Sequence, residues 1–251
     1  MPVHKQLVAM VISLSLVFSV TPVIAAEKQS GSKEVTYSSI SMFDSLVKIL
    51  PELKGYQIKS ITMGTDGHHN EVMHIEIGKS DEKKDRAELT VDLITGEIIQ
   101  YTGYKESNDI PEKLAIKKAN EFMKKLVGND SKNYAITTTN IGMVGYSKKI
   151  NGIPFLHANY SILLDSNGKI VTFSKGRMGE KFKISDFPHP SKAISEEEAR
   201  SILPDQWQDS KLRLVYWIGK DDKPHLVYEA LSEYYYPAKV DAISGELMEQ
   251  D

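Results

Sequence analysis

Cysteine is absent from the 251 residues of this sequence, and tryptophan occurs only twice. The lack of cysteine excludes disulfide bonds, thiolate catalysis and cysteine-ligated zinc, so the fold must be held by core burial alone. A strong excess of either charge is also absent, because 31 basic residues nearly balance 34 acidic ones. Nucleic-acid partners are therefore not expected, since they require a strongly basic surface.

Long apolar runs are absent except near the N-terminus, where residues 7–20 are all apolar or serine. Lys5 precedes this run, and Val23–Ala26 ends in two alanines that suit signal peptidase. Residues 1–26 are therefore predicted to be a signal peptide. The mature protein is expected to be secreted, either extracellular or retained in the cell envelope.

An uncleaved membrane anchor is the alternative for this segment, because Leu7–Ala26 reaches the roughly 20 residues that span a bilayer. Contact with a membrane is expected only in that case. Residues 27–36 are polar and include glycine and serine, and they are predicted to form a flexible linker.

A short motif occurs three times, as Asp92–Ile98 (DLITGEI), Asp165–Ile170 (DSNGKI) and Asp241–Leu247 (DAISGEL). Each copy separates two apolar segments, which is the pattern of a strand, a glycine turn and a returning strand. Glycine supplies the positive φ that such a turn needs, and aspartate can accept hydrogen bonds from the turn's amides. The structural turn residues predicted in this way are Asp92, Gly96, Asp165, Gly168, Asp241 and Gly245.

The three glycines are 72 and 77 residues apart, which predicts three related modules. Each module is predicted to run from one helix into period-two strands, giving an α+β fold of helices packed on antiparallel β-meanders. The modules cover residues 37–106, 107–176 and 193–251, and the proline-rich stretch 177–192 is predicted to be a linker. The predicted strands are 56–63, 72–77, 87–92, 98–101, 135–139, 142–148, 155–164, 170–173, 212–218, 226–231, 235–241 and 246–248.

The predicted helices differ in their end signals. In the second module Asp109 is predicted to cap the helix, with Glu112 completing a capping box. In the third module Ser195 and Glu198 are predicted to form the same box. The first helix is predicted over residues 41–50 from the helical spacing of its apolar side chains.

No residue set in the sequence matches a metal or catalytic motif. The Asp165 turn resembles the start of a calcium loop but lacks the later ligands. His68, His69 and His74 lie close together, yet no HExxH pattern accompanies them. Serine nucleophile, phosphate-binding and dinucleotide motifs are absent as well. We therefore predict no enzyme activity, no cofactor, and no catalytic or metal-binding residues.

Module three carries the aromatic residues that best suit contact with a partner. Along the strand 212–218 one face holds Leu212, Leu214 and Tyr216, and the opposite face holds Arg213 and Trp217. The predicted partner-binding residues are Arg213, Trp217 and Tyr235, on the sheet face away from the helix. The alternative is that this face packs against a neighbouring module.

Three segments of module three carry a family resemblance, namely Ala193–Ala199 (AISEEEA), His225–Ala230 (HLVYEA) and Ala238–Leu247 (AKVDAISGEL). They resemble the PepSY domain of bacterial propeptides and envelope proteins. The middle segment, with Asn151–Pro154 (NGIP) before the strand that ends at Asp165, is similar to the YcdB/YcdC repeat of exported Gram-positive proteins. The resemblance covers most of residues 38–249, and module one lacks the acidic helix opening.

The resemblance implies a non-enzymatic module that binds, inhibits or regulates extracellular peptidases, or assists their folding. It transfers no catalytic residue. The expected partners are extracellular peptidases or cell-wall components. The alternative expectation is a structural, wall-associated envelope protein without a small-molecule ligand.

Overall fold

Twelve β-strands joined in one sheet dominate the described part of the chain, and few helices accompany them. This computed structural model describes residues 42–67, 69–80, 82, 85–104, 109–232 and 237–248. The predicted signal peptide, the predicted linker 27–36 and Tyr235 lie outside the described residues. The described chain is therefore a mixed α/β fold.

The helices are α1 (42–49), α2 (Glu112–Val127), α3 (Glu196–Ile202) and the single turn α4 (Asp205–Gln208). The strands are β1 (Gln57–Thr65), β2 (Glu71–Gly78), β3 (Arg86–Asp92), β4 (Ile98–Gly103), β5 (Tyr134–Asn140), β6 (Met143–Ile150), β7 (Ile153–Leu164), β8 (Ile170–Lys175), β9 (Lys211–Ile218), β10 (Pro224–Leu231), β11 (Ala238–Asp241) and β12 (Leu247–Met248). Short 3₁₀ helices lie at Pro51–Leu53, Gly128–Asn133, Met178–Lys181, Ile184–Asp186 and Pro190–Lys192.

The strand order is β1-β2-β3-β4-β8-β7-β9-β10-β11-β12, and β5 and β6 extend from β7 as a hairpin arm. Every pairing is antiparallel except that of β7 with β9, where Phe155 pairs with Tyr216 in parallel. Hydrogen bonding between strands is thus continuous from β1 to β12. No break in this ladder separates modules within the described residues.

The structure confirms the predicted N-terminal cap of α3 but not that of α2. Ser195 caps α3, and the reciprocal bonds of Ser195 and Glu198 form the predicted capping box. Helix α2 instead begins at Glu112, with Pro111 rather than Asp109 at the N-cap position. A cap at Asp109 would require helical backbone at Ile110. Pro111 disfavours that conformation, because a proline restricts the residue before it.

The stretch 177–192 differs from the predicted linker because it contains three 3₁₀ helices and contributes to the core. Its Phe187 is buried and packs with Phe155, Tyr216 and Ile218. A second core cluster lies between α3–α4 and β9–β11, with Trp207 among its members. Residues 177–192 are therefore part of the folded body that surrounds β7. Among the described residues no helix is both long enough and apolar enough to cross a membrane.

Candidate functional site

A cleft of about 540 Å³ opens between the β6–β7 hairpin and the segment 175–187, which follows β8. Below it is called the β7 cleft. Its lining residues are Tyr134, Lys148, Lys149, Ile150, Asn151, Phe155, Ala158, Asn159, Tyr160, Lys175, Gly176, Gly179, Glu180, Phe182, Ile184 and Phe187. The volume and the mixed apolar and polar lining are those of a binding site.

An irregularity in β7 creates the cleft. Asn159 pairs with Ser147 of β6, but the next paired residues are Phe155 and Lys148, so residues 156–158 have no partner on β6. On its other side β7 pairs with β8 from Tyr160 onward, while Phe155 pairs with β9. Extra residues of this kind bend a strand and re-aim its side chains. The change of partner strand leaves room for the cleft.

Two glycines bring the wall of the cleft close to β7. A Cβ atom at Gly179 would lie 2.7 Å from Cε1 of Phe155 and 2.8 Å from Cβ of Ala158. A Cβ atom at Gly176 would lie 2.2 Å from Oδ1 of Asn159. At Gly179 an added Cβ would require the packed Phe155 ring and Ala158 to shift, so glycine is needed for this approach. At Gly176 the side chain of Asn159 would have to turn away.

The floor of the cleft is a cluster of aromatic rings. Phe155 contacts Phe187 edge-to-face with ring centroids 4.9 Å apart, and Phe182 lies 6.2 Å from each of them. Phe187 also contacts Tyr216 at 5.0 Å, and the Tyr216 hydroxyl donates to the carbonyl of Pro188 at 2.7 Å. Phe155 and Phe187 are buried, whereas Phe182 is only partly buried. The floor is therefore rigid and apolar, with one ring partly accessible.

The lining of the cleft includes a charged group centred on Lys175. Its ammonium lies 2.5 Å from Oε2 of Glu97 and 2.6 Å from Oε1 of Glu180. Burial alone would lower the pKa of Lys175, but the hydrogen bonds to the two carboxylates outweigh this effect, so the pKa is raised. The Tyr160 hydroxyl donates to Glu97 at 3.4 Å, and burial followed by the charge of Glu97 raises the pKa of Tyr160.

Arg177 fixes the wall of the cleft to the first glycine turn. Its guanidinium forms ion pairs with Asp66, with the buried Asp92 and with Glu180. Burial works against the charge of Asp92, but hydrogen bonds from Thr95 and the Arg177 charge outweigh it, so the pKa of Asp92 is lowered. The first turn therefore anchors the segment that follows β8.

Two further lysines line the cleft. Lys148 and Lys149 lie on β6, and neither makes an ion pair with any residue that the structure describes. Lys148 is directly opposite Phe155 in the β6–β7 ladder. Residues paired in this way project from the same face of a sheet, so the Lys148 stem lies beside the aromatic floor.

The six predicted turn residues lie where the repeated motif places them. Gly96, Gly168 and Gly245 have φ values of 70°, 77° and 73°. In each turn the aspartate accepts hydrogen bonds from backbone amides. The bonds run to Asp92 from Thr95, to Asp165 from Asn167 and Lys169, and to Asp241 from Ile243 and Ser244. Outside the turns themselves, Asp92 also holds Arg177.

Two of the predicted partner-binding residues, Arg213 and Trp217, do not line the β7 cleft. Arg213 forms an ion pair with the buried Glu229, and its Nη1 donates to the Thr137 carbonyl at 2.6 Å. Trp217 contacts the ring of His157 with centroids 4.4 Å apart, and the Lys239 ammonium lies 4.1 Å above its ring. Both residues are thus engaged within the chain. The third, Tyr235, lies outside the described residues.

His157 lies on the irregular part of β7, and its Nε2 is buried without a hydrogen-bond partner in the described structure. Burial, followed by the charge of Lys239, lowers the pKa of His157. A neutral imidazole suits its contact with Trp217. As for metals, no group of three His, Asp or Glu side chains that could hold an ion occurs among the described residues.

Reading the sequence alone missed the cleft because its wall was assigned to a linker. The available signal was weak: Phe182 and Phe187 are two large apolar residues within a stretch that Pro188 and Pro190 otherwise mark as irregular. Gly176 and Gly179 precede them at the exit of β8. The close approach of Gly179 to Phe155, and of Gly176 to Asn159, depends on the irregularity in β7. That irregularity has no local sequence signature.

The family described as "YcdB, YcdC repeated domain" matches residues 44–177. This match spans more than half of the chain, and the chain belongs to that family, as its residues had indicated. The matched range ends at Arg177. It includes β7, Lys175 and Glu97 but excludes Glu180 and the floor residues Phe182 and Phe187. No curated protein is significantly similar to the chain in sequence.

Among solved structures, the chain is similar to the Bacillus megaterium YpeB C-terminal domain. The TM-score is 0.63 at 18% sequence identity, over 87% of this chain and 96% of that one. At this level of identity the likeness concerns the fold.

Proposed function

We propose that this protein is an exported, non-enzymatic PepSY-type binding protein built from three modules. It binds a polypeptide segment of an extracellular peptidase in the β7 cleft, and thereby regulates the peptidase or assists its folding. The family membership and the PepSY-like segments of the sequence support this assignment. The observation that carries it is the cleft itself, with a rigid aromatic floor and charged side chains in its lining.

The chemistry of the cleft favours binding over catalysis. Its carboxylate Glu180 and the neighbouring Glu97 are both held by Lys175 at 2.6 Å and 2.5 Å. A general acid or base must reach the substrate and exchange a proton with it, which these paired groups are poorly placed to do. Aromatic side chains presented by a rigid sheet are instead typical of protein-binding surfaces.

The test combines the purified mature protein with purified peptidases from the culture fluid of the same bacterium. We expect a complex in size-exclusion chromatography and a change in peptidase activity. Ile184, which is 67% exposed at the rim of the cleft, provides the variant Ile184→Ser. Ile94 is 80% exposed and does not line the cleft, so Ile94→Ser is the matched control.

Weaker complex formation by Ile184→Ser, with unchanged binding by Ile94→Ser, would support the cleft as the binding site. No complex and no change in activity with any of the peptidases would contradict the proposal. Binding to purified cell wall in place of peptidases would instead favour the wall-associated alternative.

A further inference from the structure

We infer that the β7 cleft selects an acidic, apolar peptide segment, with its carboxylates at Lys148 and Lys149. This inference rests on the proposed function, because it names the kind of segment that the same cleft would bind. It follows from how charge and apolar surface are distributed within the cleft.

The apolar part of the ligand is set by the floor. Phe155, Phe182 and Phe187 form a continuous aromatic surface, and Ala158 and Ile184 extend it along the wall. The partly buried Phe182 and the exposed Ile184 lose water contact only when a ligand covers them. A segment with large aliphatic or aromatic side chains would bury this surface, which is the main source of affinity at such sites.

The charge of the ligand is set by which charges of the lining are already neutralised. Lys175 is held by the carboxylates of Glu97 and Glu180, and Glu180 also forms an ion pair with Arg177. Lys148 and Lys149 make no ion pair with a described residue. A ligand carboxylate is therefore attracted to Lys148 and Lys149 and repelled from the two glutamates.

The backbone of β6 favours an extended ligand. Strand β5 begins at Tyr134, opposite Lys148, so Lys149 and Ile150 have no paired strand on the β5 side. On the other side they pair with Pro154 and Ile153 of β7. An extended peptide could add to this open end of β6, which would place its alternate side chains toward the aromatic floor.

The experiment measures fluorescence anisotropy of a labelled peptide of about eight residues, roughly the length of one strand. The first peptide alternates leucine and glutamate. A second replaces each glutamate by lysine, and a third replaces each leucine by serine. We expect the Leu/Glu peptide to bind at least about tenfold more tightly than either of the others, and to bind more weakly at high ionic strength.

The charge contribution is tested with the double variant Lys148→Glu/Lys149→Glu, which should weaken binding of the Leu/Glu peptide by about tenfold or more. The control is Lys113→Glu/Lys117→Glu on the exposed side of α2, which changes the net charge by the same amount outside the cleft. Circular dichroism of both variants checks that each remains folded. Equal loss in both variants, or equal binding of the Leu/Glu and Leu/Lys peptides, would overturn the inference.

The inference and the proposed function can fail separately. Binding of peptidases without a preference for the Leu/Glu peptide would leave the proposed function standing and remove the inference. A clear preference for this peptide in a protein that binds no peptidase would keep the inference and remove the peptidase as partner.

Discussion

The Nδ1 atom of His225 lies 2.8 Å from Oδ2 of Asp241, so a histidine of β10 holds the aspartate that opens the third glycine turn. Its Nε2 lies 3.0 Å from Oδ1 of Asp221, in the turn between β9 and β10. One imidazole thus joins two turns. In the first turn Arg177 has the equivalent relationship to Asp92.

We expect His225 to make stability depend on pH. Burial alone would lower the pKa of His225, but its hydrogen bonds to Asp241 and then Asp221 outweigh it, so the pKa is raised. A raised histidine pKa stabilises the fold below the unfolded value of about 6.5, and this contribution is lost as pH rises through the folded value. His225→Gln should therefore cost about 1 kcal/mol in free energy of unfolding near pH 6 and less near pH 9.

Urea unfolding of wild type and His225→Gln at the two pH values measures this difference. The exposed His189, whose ring contacts Ser191 within the same loop, provides the control His189→Gln. A destabilisation by His225→Gln that is the same at both pH values would contradict the prediction.

The glycine turns predict a second set of stability changes. Gly96→Val, Gly168→Val and Gly245→Val should each lower the free energy of unfolding by about 1 kcal/mol or more, because a β-branched residue would be forced to positive φ. Gly168→Val should be the most severe, since a Cβ there would also lie 3.1 Å from Cγ of Lys118. Thermal melts measure the loss, and Gly245→Asn should cost less because asparagine tolerates this conformation. Unchanged melting of all three valine variants would rule out a structural role for the turns.

Arg213 provides a third prediction, because its partner Glu229 is only 4% exposed. Arg213→Met should lower the free energy of unfolding by about 3 kcal/mol, since it leaves a buried carboxylate without its cation. The double variant Arg213→Met/Glu229→Met should recover much of that loss, because both charges are then removed. Chemical denaturation of the two single variants and the double variant gives the coupling free energy. A stable Arg213→Met protein that binds its partner less well would favour the partner-contact role first expected for this residue.

A fourth prediction concerns the wall of the β7 cleft. Gly179→Ala should destabilise the protein by about 1–3 kcal/mol and weaken ligand binding, because the added Cβ would press on Phe155 and Ala158. The control is Gly67→Ala, where no atom lies within 4 Å of the added Cβ. Urea unfolding and peptide anisotropy on the same samples separate the two effects. Equal behaviour of the two alanine variants would show that the wall can move without cost.

Local pattern sufficed for the strands and for helices α1 to α3, but not for α4 or the 3₁₀ helices. Alternating apolar residues located β7 over Phe155–Leu164, and the structure extends it by two residues to Ile153. The capping box at Ser195 could be predicted because it depends only on residues three positions apart. The cap at Asp109 failed because Pro111 restricts the residue before it.

Long-range relationships were not available from the same patterns. Periodicity shows which side of a strand is apolar but not which strand lies beside it, so the parallel contact of Phe155 with Tyr216 was not predicted. The β7 cleft depends on that contact and on the packing of Phe187 against both rings. Arg213 was expected on an open face for a related reason, since neither Glu229 nor Thr137 could be recognised as its partner in advance.

The parallel contact between β7 and β9 has a consequence for the order of folding. Strands β1–β4, β5–β8 and β9–β12 pair mainly with their neighbours in sequence, and such hairpins close short loops. Phe155 and Tyr216 are separated by 61 positions, so their contact closes a far longer loop, as does the pairing of β4 with β8, and both are expected to form late. The cleft would then be among the last features of the fold to be completed. A ligand that occupies it would selectively stabilise fully assembled molecules over those in which β9–β12 have not yet docked.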